Sequence, residues 1–271
     1  MTATMLDPVD DHDLLGPRYC WGGYLRQLRD AEGRELFSGP EFPALPSPFN
    51  GQGAPEVFCH RNFRTGETLN REGEGGIILG VGAFDSMDRE PMLSDLCEWH
   101  CKLEGAACTM VTEHQAYGWR YRLTRKWELR GRAAISSTRV ENKQEKDLEV
   151  LWFPHPFYPL IEGGMDFRIN MPVEMQENPA FRKQGDRISM IPDFDWNTGR
   201  VEWLEGDFDA RLEATFRHPI TDTVTMSGDM PVSHLPLWAN ARTISLEPYS
   251  YHRLKAGQSC EWSIHYRFGG E

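Results

Sequence analysis

Residues 119–142, WRYRLTRKWELRGRAAISSTRVEN, decide the fold. In Trp119-Arg120-Tyr121-Arg122-Leu123 aromatic and aliphatic side chains alternate with arginines. A period of two gives a strand one buried face and one wet face. Gly118–Leu123, Arg125–Arg130 and Ala133–Asn142 therefore read as successive strands.

The same texture continues in both directions. Ile77–Val81, Gly105–Val111 and Glu149–Phe153, and later Arg187–Ile191, Arg211–Phe216, Thr223–Ser227, Thr243–Leu246 and Ser259–Phe268, are short runs parted by turn chemistry. Only two short helices are expected, around 87–98 and 178–183. There is no βαβ rhythm and no tandem repeat. Upstream, Tyr19–Leu28, the polar link Asp30-Ala31-Glu32-Gly33 and Arg34–Phe37 read as a hairpin. Residues 39–55, GPEFPALPSPFNGQGAP, hold five Pro and three Gly. Neither helix nor central strand tolerates that density, so a long loop is expected, ordered by Phe42 and Phe49. Residues 1–15, with Asp7, Asp10, Asp11 and Asp13, read as a flexible acidic arm, and residues 16–271 as one domain. The class is all-β, a large antiparallel β-sandwich.

Composition narrows the function. The formal charge of −12 and the lack of any Lys/Arg run exclude a phosphate-tracking surface, so no nucleic-acid partner is expected. No apolar stretch nears the roughly 20 residues of a membrane span, and the acidic start lacks signal-peptide order, which predicts a cytoplasmic protein with no membrane partner. Nine Trp supply the flat amphipathic faces on which sugar rings pack. Cys97, His100 and Cys101 in CEWHC lack a second ligand pair at zinc spacing, so no metal and no cofactor is expected. All six cysteines are read as free thiols in a packed interior.

Three stretches resemble the galactose-mutarotase superfamily, which includes aldose 1-epimerases and hexose-6-phosphate 1-epimerases. The first is Val140-Glu141-Asn142 followed by Val150–Tyr158, VLWFPHPFY; the second is Leu237-Trp238 before Ile244-Ser245-Leu246-Glu247-Pro248. The third is Leu254-Lys255-Ala256-Gly257-Gln258-Ser259, with Trp262 and Tyr266-Arg267-Phe268 after it; Ala256 stands where the family has Pro. The resemblance implies a galactose mutarotase-like supersandwich and an isomerase, an aldose 1-epimerase-like enzyme acting on a small-molecule sugar or sugar phosphate. It assigns Glu247 as general base at O1 and His155 as general acid at the ring oxygen, on opposite sides of the sugar. Mutarotation needs both proton movements and no metal.

For substrate binding the resemblance points to Arg61, after the early Pro/Gly loop, to His100 and to Trp238 as a pocket wall. No His-Gly pair stands between residues 80 and 120, so His114 is a second candidate for the sugar-binding His. Taken alone, His155 between two prolines could cap a strand, Glu247 before Pro248 could be a solvated strand end, and Asp193 and Asp195 read as turn formers. The alternative function is a non-catalytic carbohydrate-binding or regulatory protein on the same scaffold. A polysaccharide lyase is a third option, but its helical partner domain is absent from this chain. Either a monomer or a homodimer fits.

Overall fold

The computed structural model describes residues 1–11, 14–87, 91–208 and 211–270. Among them there is no α-helix, and every strand pairing is antiparallel. Ten strands form one wide sheet. It runs from Phe181–Gln184 at one edge, through Ser259–Phe268, Ala133–Asn142 and Trp119–Arg130 in its middle, to His100–Glu104 at the other edge.

Two smaller sheets cover it. One holds Ser250–Leu254, Leu148–Pro154 and Glu56–Phe58; the other holds Tyr158–Pro159, Thr243–Leu246, Leu235–Ala239, Arg200–Gly206 and Val173–Glu174. Ring contacts show the two layers meeting. Trp152 meets Trp262 at 5.0 Å, His252 stacks on Trp262 at 5.3 Å, and Tyr158 stacks on Phe216 at 4.5 Å. This is the sandwich expected from the sequence, closed by interdigitating inner faces.

The alternation over residues 119–130 holds, and it carries a charge into the core. Trp119–Arg130 is a single twelve-residue strand, without the break expected at Thr124. Trp119, Tyr121, Leu123 and Trp127 point inward, and the same phase buries Arg125, which is 1 % exposed. Its charge is compensated across the sandwich. Arg125 pairs with Glu56 at 2.6 Å and donates to Ser136 and Thr138; Trp152 Nε1 donates to Glu56 at 2.7 Å and Ser136 donates to the same carboxylate. A buried ion survives only when paired and hydrogen-bonded in this way.

Several expectations are corrected. The segments read as short helices are strands: Pro91–Leu96 lies within the first and Phe181–Gln184 overlaps the second, while residues 88–90 lie outside the described residues. Both segments pair edge to edge with neighbours, which overrides weak local propensity. The opening arm is docked: Thr2–Met5 pairs with Leu25–Arg29 and Leu6 is 2 % exposed, although Asp13 lies outside the described residues.

The first expected strand starts late, at Leu25, because Trp127 Nε1 and Arg125 bind the carbonyls of Gly23 and Gly22 and hold residues 16–24 irregular. The turn at Asp30–Arg34 forms as read, with Asp30 N donating to Arg34 O, and a single bridge, Arg29 to Glu35, follows it. Cys20, Cys59 and Cys97 are buried free thiols, whereas Cys101 is exposed and Cys108 and Cys260 are half-buried. Among the described residues no helix is long and apolar enough to cross a membrane.

Candidate functional site

The site is built by three backbone segments that the fold brings together. The first is the end of the Pro/Gly loop. Gly53 has φ +84°, and a Cβ there would lie 2.3 Å from the carbonyl oxygens of Leu25 and Arg26, so only glycine lets the loop approach this closely. Gly53 O and Pro55 O then accept from Phe157 N and His155 N, each at 2.8 Å. The second segment is therefore Pro154-His155-Pro156-Phe157, whose two available donors are both spent on the loop. The third is Thr243–Leu246, which pairs with Tyr158–Pro159. It leads into Glu247, whose N–H donates to Pro236 O at 3.0 Å. Ser245 and Glu247, two apart, share one face. Residues 92 positions apart in the sequence are thus neighbours (247 − 155).

His155 is 3 % exposed and Glu247 7 %. Their Nε2 and Oε1 atoms stand 3.3 Å apart. The expectation that the two groups face each other across the width of a sugar is corrected: they touch. His155 Nδ1 is 3.0 Å from Ser245 Oγ, and Arg18 Nη2 is 3.3 Å from His155 Nε2. A guanidinium only donates, so Nε2 accepts and the Nδ1 proton goes to Ser245. The imidazole also stacks on Phe157 at 4.4 Å and lies edge-on to Trp238 at 6.0 Å.

The electrostatics follow from burial. Desolvation pushes Glu247 up to about 8, against the opposing pull of Arg18 and a hydrogen bond from Ser245. Desolvation, then the charge of Arg18, holds His155 well below its ordinary value. The resting pair at neutral pH is therefore a neutral imidazole beside a protonated carboxyl, not an ion pair. The tautomer inferred from Arg18 agrees with this.

Around the pair lies a cavity of about 510 Å³. Its walls are mostly apolar: Pro17, Pro48, Phe49, Val57, Phe63, Phe153, Trp203, Pro236, Trp238 and Tyr249, with Arg18, His60 and Arg61 as the other polar groups. Tyr249 stacks on Phe153 at 4.2 Å. An apolar pocket with a few convergent polar groups and shifted acid–base residues is the usual form of a small-molecule site.

The residues expected at the site are divided by the structure. His155, Glu247, Arg61 and Trp238 line the cavity. Arg61 is exposed and held in a tight turn, its Nε donating to Gly66 O at 2.9 Å. His100 does not line the cavity; it is exposed on the edge strand of the wide sheet. His114 is buried on the next strand and is also outside the cavity lining. Asp195 accepts from Asn197 N–H and its side-chain amide in a turn, as read.

The sequence reading missed Arg18, Ser245, Trp203 and Tyr249. Arg18 was hidden because Pro17-Arg18 precedes a run taken for a strand. Its guanidinium lies 4.7 Å over Phe49 and donates to Phe49 O at 2.7 Å. Phe49, expected to order the loop, is 63 % exposed and forms pocket wall. Ser245 could have been found from the period of two that puts it on the face of Glu247.

No protein-family model matches the chain, and no curated protein matches it. Solved structures do. A galactose mutarotase-like protein from Lactobacillus casei ATCC 334 superposes with a TM-score of 0.61 at 15% identity, over 93% of this chain and 95% of that one. A galactose mutarotase related enzyme from Lactobacillus acidophilus gives 0.58 at 12%, over 94% and 93%. A candidate aldose 1-epimerase from Escherichia coli K12 gives 0.57 at 15%, over 91% and 92%. At such identities a likeness speaks for architecture alone. The chain has the galactose mutarotase-like fold.

Proposed function

We propose that the pocket opens and recloses the ring of an aldose, with His155 and Glu247 as its two proton-transfer groups. The observation that carries the reading is the 3.3 Å contact between two buried acid–base side chains in the wall of a sugar-sized cavity. O1 and the ring oxygen share one carbon, so neighbouring groups reach both. One proton passing from Glu247 to His155 along the contact gives a carboxylate and an imidazolium. Glu247 then takes the O1 proton while His155 protonates the ring oxygen; the C1–O bond of the ring breaks and C1 becomes a carbonyl. The opened state leaves the proton back on Glu247 and the imidazole neutral, as at rest. Rotation about C1–C2 and the reverse steps deliver the other anomer. Arg61 and Trp238 would hold the sugar.

NMR exchange between anomers, over a panel of free and 6-phosphorylated hexoses, tests the reading. Acceleration of one of them supports it; binding without acceleration makes the protein a carbohydrate-binding or regulatory module instead. The pH dependence is a second check. The pair works with one shared proton, and that proton is lost as Glu247 ionises at about 8. The catalysed rate, corrected for the spontaneous reaction, is expected to be level near neutrality and to fall through about pH 8. A rate that keeps rising beyond pH 9 would count against this pairing.

A further inference from the structure

The cavity is not the end of the cleft. A second hollow of about 370 Å³ is lined by Phe63, Arg64, Gln176, Glu202, Trp203 and Glu205, and it shares Phe63 and Trp203 with the first. These two aromatics form the ridge between the hollows, 57 % and 38 % exposed. An exposed apolar patch rimmed by polar residues is one mark of a ligand-binding groove. Trp203 is fixed in place: its strand pairs with Leu235–Ala239, and its ring packs 6.3 Å from Tyr249 of the cavity wall.

The two hollows differ in chemistry. The first is walled by apolar rings around one acid–base pair. The second offers a guanidinium from Arg64, an amide from Gln176 and carboxylates from Glu202 and Glu205. Arg64 lies 5.9 Å over the Trp203 ring, and Glu202 is held by Arg200 at 2.7 Å. Donors and acceptors thus stand together around an aromatic face, which suits the hydroxyls and the apolar face of a pyranose. Two carboxylates make the hollow a poor seat for a phosphate.

We infer that the groove at Phe63, Arg64, Gln176, Trp203 and Glu205 is a second sugar subsite, so that the cleft takes a reducing disaccharide or longer oligosaccharide with its reducing-end ring beside His155 and Glu247. The inference rests on the sugar-site reading above and adds the neighbouring unit. A single ring bound in the first cavity would leave the second groove wet; a linked neutral ring covers it. Its contribution is one stacking face and a few exposed hydrogen bonds, enough for about a tenfold gain in affinity.

The test compares glucose with maltose, cellobiose and lactose by calorimetric titration, beside the NMR exchange assay on the same sugars. At least one disaccharide is expected to bind about tenfold more tightly than glucose. Gln176→Ala combined with Glu205→Ala should remove that gain and leave glucose affinity unchanged, since neither residue lines the first cavity. Trp203→Ala should weaken the disaccharide more than glucose. Equal affinity for glucose and every disaccharide overturns the subsite, as does a preference that survives the double variant. Exchange rates report separately: a disaccharide preference without acceleration of any anomer exchange keeps the subsite and removes the catalytic reading.

Discussion

Glu247→Gln is expected to keep the fold and much of the sugar affinity while losing about 10²–10⁴-fold in catalysed anomer exchange. The amide fills the same space 3.3 Å from His155 but cannot carry the shared proton. His155→Asn should lose a similar factor, because Ser245 and Arg18 can still hold a polar side chain there. NMR exchange measured alongside far-UV circular dichroism separates lost chemistry from lost structure. Full activity in both variants would refute the assignment. A thermal signature should accompany it. The Glu247 carboxyl sits at about 8 in the fold and returns to the ordinary carboxylate range on unfolding, so the folded chain binds more protons between those values. Wild-type stability should fall as pH rises through that window and level off above it. In Glu247→Gln that component of the slope should be missing.

Glu56→Ala is expected to destabilise the protein by about 3–5 kcal/mol, because Arg125 then stays buried without its counter-ion. For a chain of this size that lowers the melting temperature by about 6–20 °C. The orphaned charge is the main reason, since Arg125 and Glu56 are each 1 % exposed, and Trp152 Nε1 and Ser136 lose their acceptor as well. Replacing both together, Glu56→Leu with Arg125→Met, should recover much of the loss, since an apolar pair of similar volume needs no counter-ion. Thermal denaturation followed by circular dichroism checks both variants. A melting temperature within about 2 °C of wild type in Glu56→Ala would show that the charge escapes to water. The single variant should also slow the proposed chemistry. Glu56 pairs with Pro154, and the carbonyl just before it, that of Pro55, holds His155 N–H.

These two expectations differ in how far the sequence prepares them. The motifs around His155 and Glu247 single them out, and the strand and loop around each follow from local pattern. No local pattern singles out Glu56 or Arg125. Arg125 reads as one more exposed arginine until the alternation is carried through Thr124 without a break, and nothing local says that Glu56 lies opposite. The strands Arg200–Gly206 and Leu235–Ala239, which bring Trp203 and Trp238 to the cleft, were not singled out either. Charged residues alternate in one, and Pro236 interrupts the other.

The sequence by itself determined the class of fold and the long glycine-dependent loop, and through its resemblance it pointed to His155 and Glu247. A period of two, a proline or a glycine acts on the backbone where it stands, so its consequence is local. Tertiary structure alone decided that His155 touches Glu247 instead of facing it, that Arg18 meets His155 and acts on Glu247 through its charge while His100 stays away, and which side of the pair holds the proton. Those outcomes depend on burial and on distances between segments tens of residues apart. Desolvation and the field of a neighbouring guanidinium exist only once the sandwich has closed.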